Sequence, residues 1–217
     1  MCCKPLQHHT RCARHYHHPA CMARHKWHVV KAGGKDDRDT LHRFGFVVVR
    51  GPRETPKRES AKWFIEHGTR LPGGEGRWRH QPRDNTDMNM LRKKMTDALE
   101  GAGLLGKGLT IPAGGVYGIR DEPGTGPQEL HVDWGPQKTS EYESNLDSMP
   151  LSVLWACSEP FCLAMATAGV MLSVGAGDMV VFRGDFVHGG GGHLSTAFRV
   201  HAYVAPRGVA PPGYIVT

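Results

Sequence analysis

Residues 1–38 contain no serine, and no apolar run near the start of the chain is long enough for a secretory signal. The missing serine also argues against an organelle transit peptide, although arginines are plentiful there. The longest apolar stretch, Phe161 to Ala176, is too short to span a membrane and is broken by Gly169 and Gly175, so it reads as two strands around a turn. A soluble, intracellular protein is expected. No internal repeat is present. Cysteine is concentrated outside the core: Cys2, Cys3, Cys12 and Cys21 precede residue 38 and form no C-x-x-C pair, which excludes the knuckle of a zinc ribbon. The other two, Cys157 and Cys162, flank a predicted turn, "CSEPFC", and are expected as reduced thiols packed like small hydrophobes.

Charge of one sign is also lacking once the chain is divided. Of 27 Lys and Arg, eight lie in residues 1–38 against two acids, which leaves 19 basic and 19 acidic residues beyond them. The pI near 9.1 therefore belongs to the N-terminal segment. That segment also holds seven of the 14 histidines. His17, Cys21, His25 and His28 would share a helical face but for Pro19, so zinc binding, a nucleic-acid-binding arm and a disordered leader all remain open. We expect a tail over 1–38 and one domain over 39–217, a length that supports one substantial core.

Within that domain, "PQELHVDWG" places His131 and Asp133 one residue apart. On a strand, alternate side chains share a face, so the two would converge while Leu130, Val132 and Trp134 face away. An imidazole and a carboxylate are two of the three ligands of the two-histidine, one-carboxylate face that holds Fe(II). Taken alone, such a pair usually marks a solvated strand face rather than a metal site. Farther on, "GDFVHGGGGHLSTAFRVHAYV" supplies His188, 57 positions after His131, and Arg199, 11 after His188.

This order resembles the Fe(II)/2-oxoglutarate-dependent dioxygenases, in particular their phytanoyl-CoA hydroxylase-like and prolyl-hydroxylase-like branches, over roughly residues 41–205. The resemblance implies that His131, Asp133 and His188 bind Fe(II) and that Arg199 binds the 5-carboxylate of 2-oxoglutarate. An inward arginine in an apolar barrel would be an unpaired charge unless a carboxylate completed it. Tyr117, on the preceding strand, is expected to add a hydroxyl contact. His201 stands two residues after the arginine, where the family often carries a small or hydroxylic residue. His193, in "GGGGHLS", is expected to be a mobile loop residue and no ligand.

The rest of the domain fits that picture. "LHRFGFVVVRG" looks like the family's entry strand, followed by a helix from Thr55 and Pro56 to a stop at Gly68, with Trp63 and Phe64 as core. Residues 69–90, with Arg70, Arg77, Arg79 and Arg83 around Trp78 and His80, read as a turn-rich solvated loop that could also cradle an anion. Leu91, Met95 and Leu99 recur at helical spacing up to Gly101. Strands are expected at 115–120, 130–134, 151–157, 161–167, 170–174, 179–182, 186–188 and 198–204. Many short strands behind N-terminal-side helices predict a mainly β, double-stranded β-helix or jelly roll. Residues 121–129 and 135–149 would roof its mouth as loops.

The expected activity is therefore hydroxylation or oxidative demethylation of an unidentified substrate. O2 and 2-oxoglutarate are consumed, succinate and CO2 are released, and ascorbate serves as a reductant. Two alternatives belong to other classes: a nucleic-acid-modifying dioxygenase, with the basic tail as the contact, and a non-catalytic, cupin-like metal-binding jelly roll. No membrane partner is expected.

Overall fold

The structure is a computed structural model that describes residues 37–52, 66, 68–72, 76–82 and 86–212. Most of the tail and of the helix expected from Thr55, with Trp63 and Phe64, lies outside these residues. Among the described residues, no helix is long and apolar enough to cross a membrane.

Two antiparallel sheets face each other. The larger is built from β1 (Phe46–Arg50), β2 (Gly68–Pro72), β3 (Arg77–Pro82), β5 (Val116–Asp121), β6 (Leu151–Ala156), β9 (Asp178–Arg183) and β11 (Ala197–Pro206). Their order is β1-β9-β6-β11-β5-β3-β2, and the short β4 (Leu109–Thr110) pairs with the far end of β11. The smaller sheet runs β10 (His188–Gly190), β7 (Phe161–Met165), β8 (Val170–Val174). This is the jelly roll expected from the strand pattern.

Alternation on the central strands divides the core in two. Val200, Ala202 and Val204 of β11 pack with Val153 and Trp155 of β6 and with the apolar stripe of α2 (Thr86–Gly101), namely Met88, Leu91, Met95 and Leu99. That stripe follows the three-and-four spacing of a half-buried helix, while Lys93 and Asp97 pair one turn apart on its exposed face. Gly103, in the left-handed region at φ 68°, stops the helix: the Leu104 N–H reaches back to Leu99 O, and Leu104 joins the core. The opposite face of the large sheet, with Tyr117, Ile119, Leu154 and Tyr203, packs on Phe161, Leu163 and Leu172 of the small sheet. Arg199 and His201 of β11 lie on this face beside Tyr203. Cys157 and Cys162 are free thiols, and burial pushes Cys157 up to about 12.

Five expectations require correction. Residues 69–90 are not a loop: β2 and β3 form a hairpin on the edge of the large sheet, and α2 begins at Thr86. Gly68 opens β2. The segment 130–134 is not a strand; it makes one bridge, His131 to His188, and then bends, so Asp133 reaches the same point through the bend. His188 begins its strand where a strand end was expected. The segment 135–149 is partly helical, with α3 over Pro136–Thr139. A further helix, α1 (Asp37–Phe44), precedes β1, and its Asp37 is buried. Arg38 pairs with Asp147.

Candidate metal centre

The chain brings His131, Asp133 and His188 together at one end of the space between the sheets. Their ligand atoms all lie within 4.8 Å of one another. His131 and His188 are tied by their backbones, each N–H donating to the other's carbonyl at 2.9 Å. The tautomers follow from the neighbours: the Nδ1–H of His131 donates to Glu129 O at 2.8 Å, and that of His188 donates to Phe186 O at 2.9 Å. Both Nε2 atoms thereby stand near Asp133, whose oxygens are 3.8 Å and 3.7 Å away, and His131 Nε2 also accepts from the Gln128 amide nitrogen at 3.3 Å. Burial lowers the pKa of both imidazoles, which keeps them neutral donors.

Asp133 is almost fully buried, at 5 % exposure. Burial on its own pushes this carboxyl up; the imidazoles of His201 and His188 override it and hold Asp133 well below the usual carboxylate range. His201 Nε2 is 3.2 Å from Asp133 Oδ2. His201 therefore stands against the candidate ligand, a contact that its spacing from Arg199 did not suggest.

Arg199, 3 % exposed, points into the same cavity as the three candidate ligands. It is not unpaired, as the sequence had suggested: Nη2 forms an ion pair with Asp121, 2.7 Å from Oδ2. The same carboxylate takes Arg77 Nε and lies 3.3 Å from His193 Nε2. Burial lowers Arg199 to about 10 against the pull of Asp121, so the guanidinium stays charged at neutral pH. Its Nε and Nη1 have no hydrogen-bond partner. His193 is buried rather than mobile; its backbone pairs with Thr125 and Gly124, and burial drops its pKa to about 4.

Asp121 is the residue that sequence reasoning missed. It ends β5 opposite Arg77 and Ala197. Two inward arginines on the flanking strands demand a buried acid at that register, and this is the signal that could have found it.

Tyr117 lies opposite His201, 4.7 Å between ring centroids, and lines the cavity. Burial and the neighbouring Tyr203 raise its pKa well above normal, so the phenol remains a donor. Arg79, on β3, completes this wall with its guanidinium 5.8 Å from the Tyr117 ring centre.

Two histidines and one carboxylate thus converge between the sheets of a jelly roll, a donor set that could hold one metal ion. Solved structures of several 2-oxoglutarate-dependent enzymes and prolyl hydroxylases share this fold. HygX from Streptomyces hygroscopicus, solved with nickel and 2-oxoglutarate bound, superposes with a TM-score of 0.62 at 14 % identity, over 83 % of this chain and 90 % of that one. A Trichoplax adhaerens prolyl hydroxylase, in complex with a hypoxia inducible factor oxygen degradation domain peptide, gives 0.56 at 9 % identity, covering 78 % and 87 %. A Pseudomonas putida prolyl-4-hydroxylase gives 0.52 at 14 %, covering 79 % and 98 %. No family model matches the sequence, and no curated protein matches it.

Proposed function

We propose that the chain is a non-haem Fe(II)/2-oxoglutarate-dependent oxygenase, with His131, Asp133 and His188 as the iron ligands and Arg199 as the cosubstrate arginine. The observation that carries this reading is the single cavity in which both groups meet. Three ligand atoms lie within 4.8 Å of one another, beside a buried guanidinium whose Nε and Nη1 have no acceptor.

The residues fit both groups. Two neutral imidazoles and one carboxylate are a donor set suited to Fe(II). Gly190 leaves clearance over Arg199, since a Cβ there would stand 3.2 Å from Nη2 and 3.4 Å from Nη1. HygX, of the same fold, holds nickel and 2-oxoglutarate. Bound here, metal and cosubstrate would couple decarboxylation of 2-oxoglutarate, giving succinate and CO2, to oxidation of a substrate C–H bond by O2.

The chain's own part is placement. His201 fixes the orientation of Asp133, and the Nδ1 hydrogen bonds of His131 and His188 fix their ring planes. Asp121 takes one nitrogen of Arg199 and leaves the others for a ligand carboxylate. Tyr117 lines the same cavity, and its phenol stays protonated as a neutral donor. Ile119, Leu154 and Leu163 keep that end of the cavity apolar, which strengthens each charged contact within it.

The test is calorimetric first and catalytic second. The full chain should bind one Fe(II), or Ni(II) in its place, and bind 2-oxoglutarate only once the metal is present. It should release succinate in a screen of peptide, nucleic-acid and metabolite pools with Fe(II) and ascorbate. Arg199→Lys should weaken 2-oxoglutarate roughly tenfold or more, because ammonium lacks the planar fork, and leave metal binding nearly unchanged. Metal binding with no affinity for 2-oxoglutarate would make the chain a cupin-like binding protein instead.

A further inference from the structure

The hairpin β2–β3 brings a second guanidinium to the cavity that neither the metal ligands nor the cosubstrate arginine requires. Arg79 sits directly across from Ile119 of β5, which in turn sits across from Arg199 of β11, so the two arginines flank one apolar residue. Both line the cavity that holds His131, Asp133 and His188. Arg79 Nε is buried and has no hydrogen-bond acceptor. Among the described residues, Arg79 forms no ion pair, and its contact is the face of Tyr117.

The acids of this interior are already committed. Asp121 serves Arg77, Arg199 and His193. Asp133 lies against His201 and belongs to the candidate metal centre. Arg79 is half-buried, with its Nε enclosed and no acid beside it among the described residues, so an anionic group brought by a ligand into the cavity would find a guanidinium free to pair with it.

The charge of the site says how much anion is missing. Arg77, Arg79 and Arg199 against Asp121 and Asp133 leave one positive charge. A divalent metal and the dianion of 2-oxoglutarate cancel each other, so the loaded site still carries that one charge.

We propose that Arg79 docks a single carboxylate on the molecule that is oxidised, making the primary substrate a monoanionic carboxylic acid. This rests on the oxygenase reading above. The carboxylate would meet the guanidinium through paired N–H donors while the Tyr117 ring covers its face. A polyphosphate or nucleic-acid backbone would bring more negative charge than the site can balance.

The experiment uses the full chain loaded with Ni(II) and 2-oxoglutarate, which binds without turning over. Titration calorimetry is run with acetate, propionate and benzoate, each beside its primary amide of the same shape. Loading itself reads the oxygenase proposal, so failure there is distinct from failure here. We expect at least one acid to bind about tenfold or more tightly than its amide. We expect Arg79→Gln to abolish that preference, with Ni(II) and 2-oxoglutarate affinities within about twofold of the parent.

Three results overturn the proposal: no acid preferred over its amide, a preference that survives in Arg79→Gln, or a loss of 2-oxoglutarate affinity in its place. The last would make Arg79 a cosubstrate residue. Should Arg79→Gln fail to melt cooperatively, Arg79→Lys is read instead. Acid binding weakened about threefold or more with amide binding unchanged supports the proposal, and unchanged acid binding overturns it.

Discussion

His201 and His193 are both buried imidazoles set against an acid, Asp133 and Asp121 respectively. His201 acts on a proposed metal ligand, so His201→Ala should lower Ni(II) affinity by roughly 10–100-fold, the usual effect of losing such an outer partner, and His201→Asn should recover part of it. Calorimetric titration separates the two variants. His193 is coupled to stability. Its folded pKa of about 4 lies below the roughly 6.5 of a free imidazole, so the unfolded chain binds a proton that the folded chain refuses in between. Its contribution is full above about pH 6.5 and is lost as pH falls toward 4. Urea titrations of the metal-free chain at pH 7 and pH 5 should therefore show a drop in stability that is smaller in His193→Gln.

The strands differ in how far the amino-acid order betrayed them. β11 was legible because every second residue is apolar and the opposite set, Arg199, His201 and Tyr203, turns to the cavity. The site was legible for another reason: the order His131, Asp133, His188, Arg199 carries a family resemblance, although its residues sit on a bridge, a bend and strands of two different sheets. β3 was not legible. Its inward residues are Arg77 and Arg79, and no apolar alternation marks a strand whose buried face is cationic. The acid that permits this, Asp121, lies 44 residues away on β5, beyond any local pattern. His131 and Asp133 were found through the wrong local geometry, a strand face where there is one bridge and a bend. That bridge sets the prediction for β10. A Cβ on Gly189 would lie 2.9 Å from Gln128 O and 3.3 Å from Glu129 O, so Gly189→Ala must push the 128–131 segment off the strand. We expect a loss of about 1–3 kcal/mol in urea unfolding, the range for overpacking, together with weaker Ni(II) binding.

At the scale of the molecule, the described domain begins with α1, which is anchored by buried Asp37 and by the Arg38–Asp147 pair. A chain starting at Asp37 is accordingly expected to melt cooperatively and to bind Ni(II) and 2-oxoglutarate as the full chain does. Loss of either would give the preceding residues a structural role. The His131–His188 bridge has a wider consequence. The two residues lie 57 positions apart, and joining such distant points freezes out on the order of 3–4 kcal/mol of chain entropy. The protein's own amide hydrogen bonds have already drawn that ring shut, so an arriving ion finds a clasp to rivet rather than two loose ends to gather. Escape of the ion must then wait for the clasp to part. The backbone amide protons of His131 and His188 should exchange with solvent in step, and should slow together when Ni(II) is added.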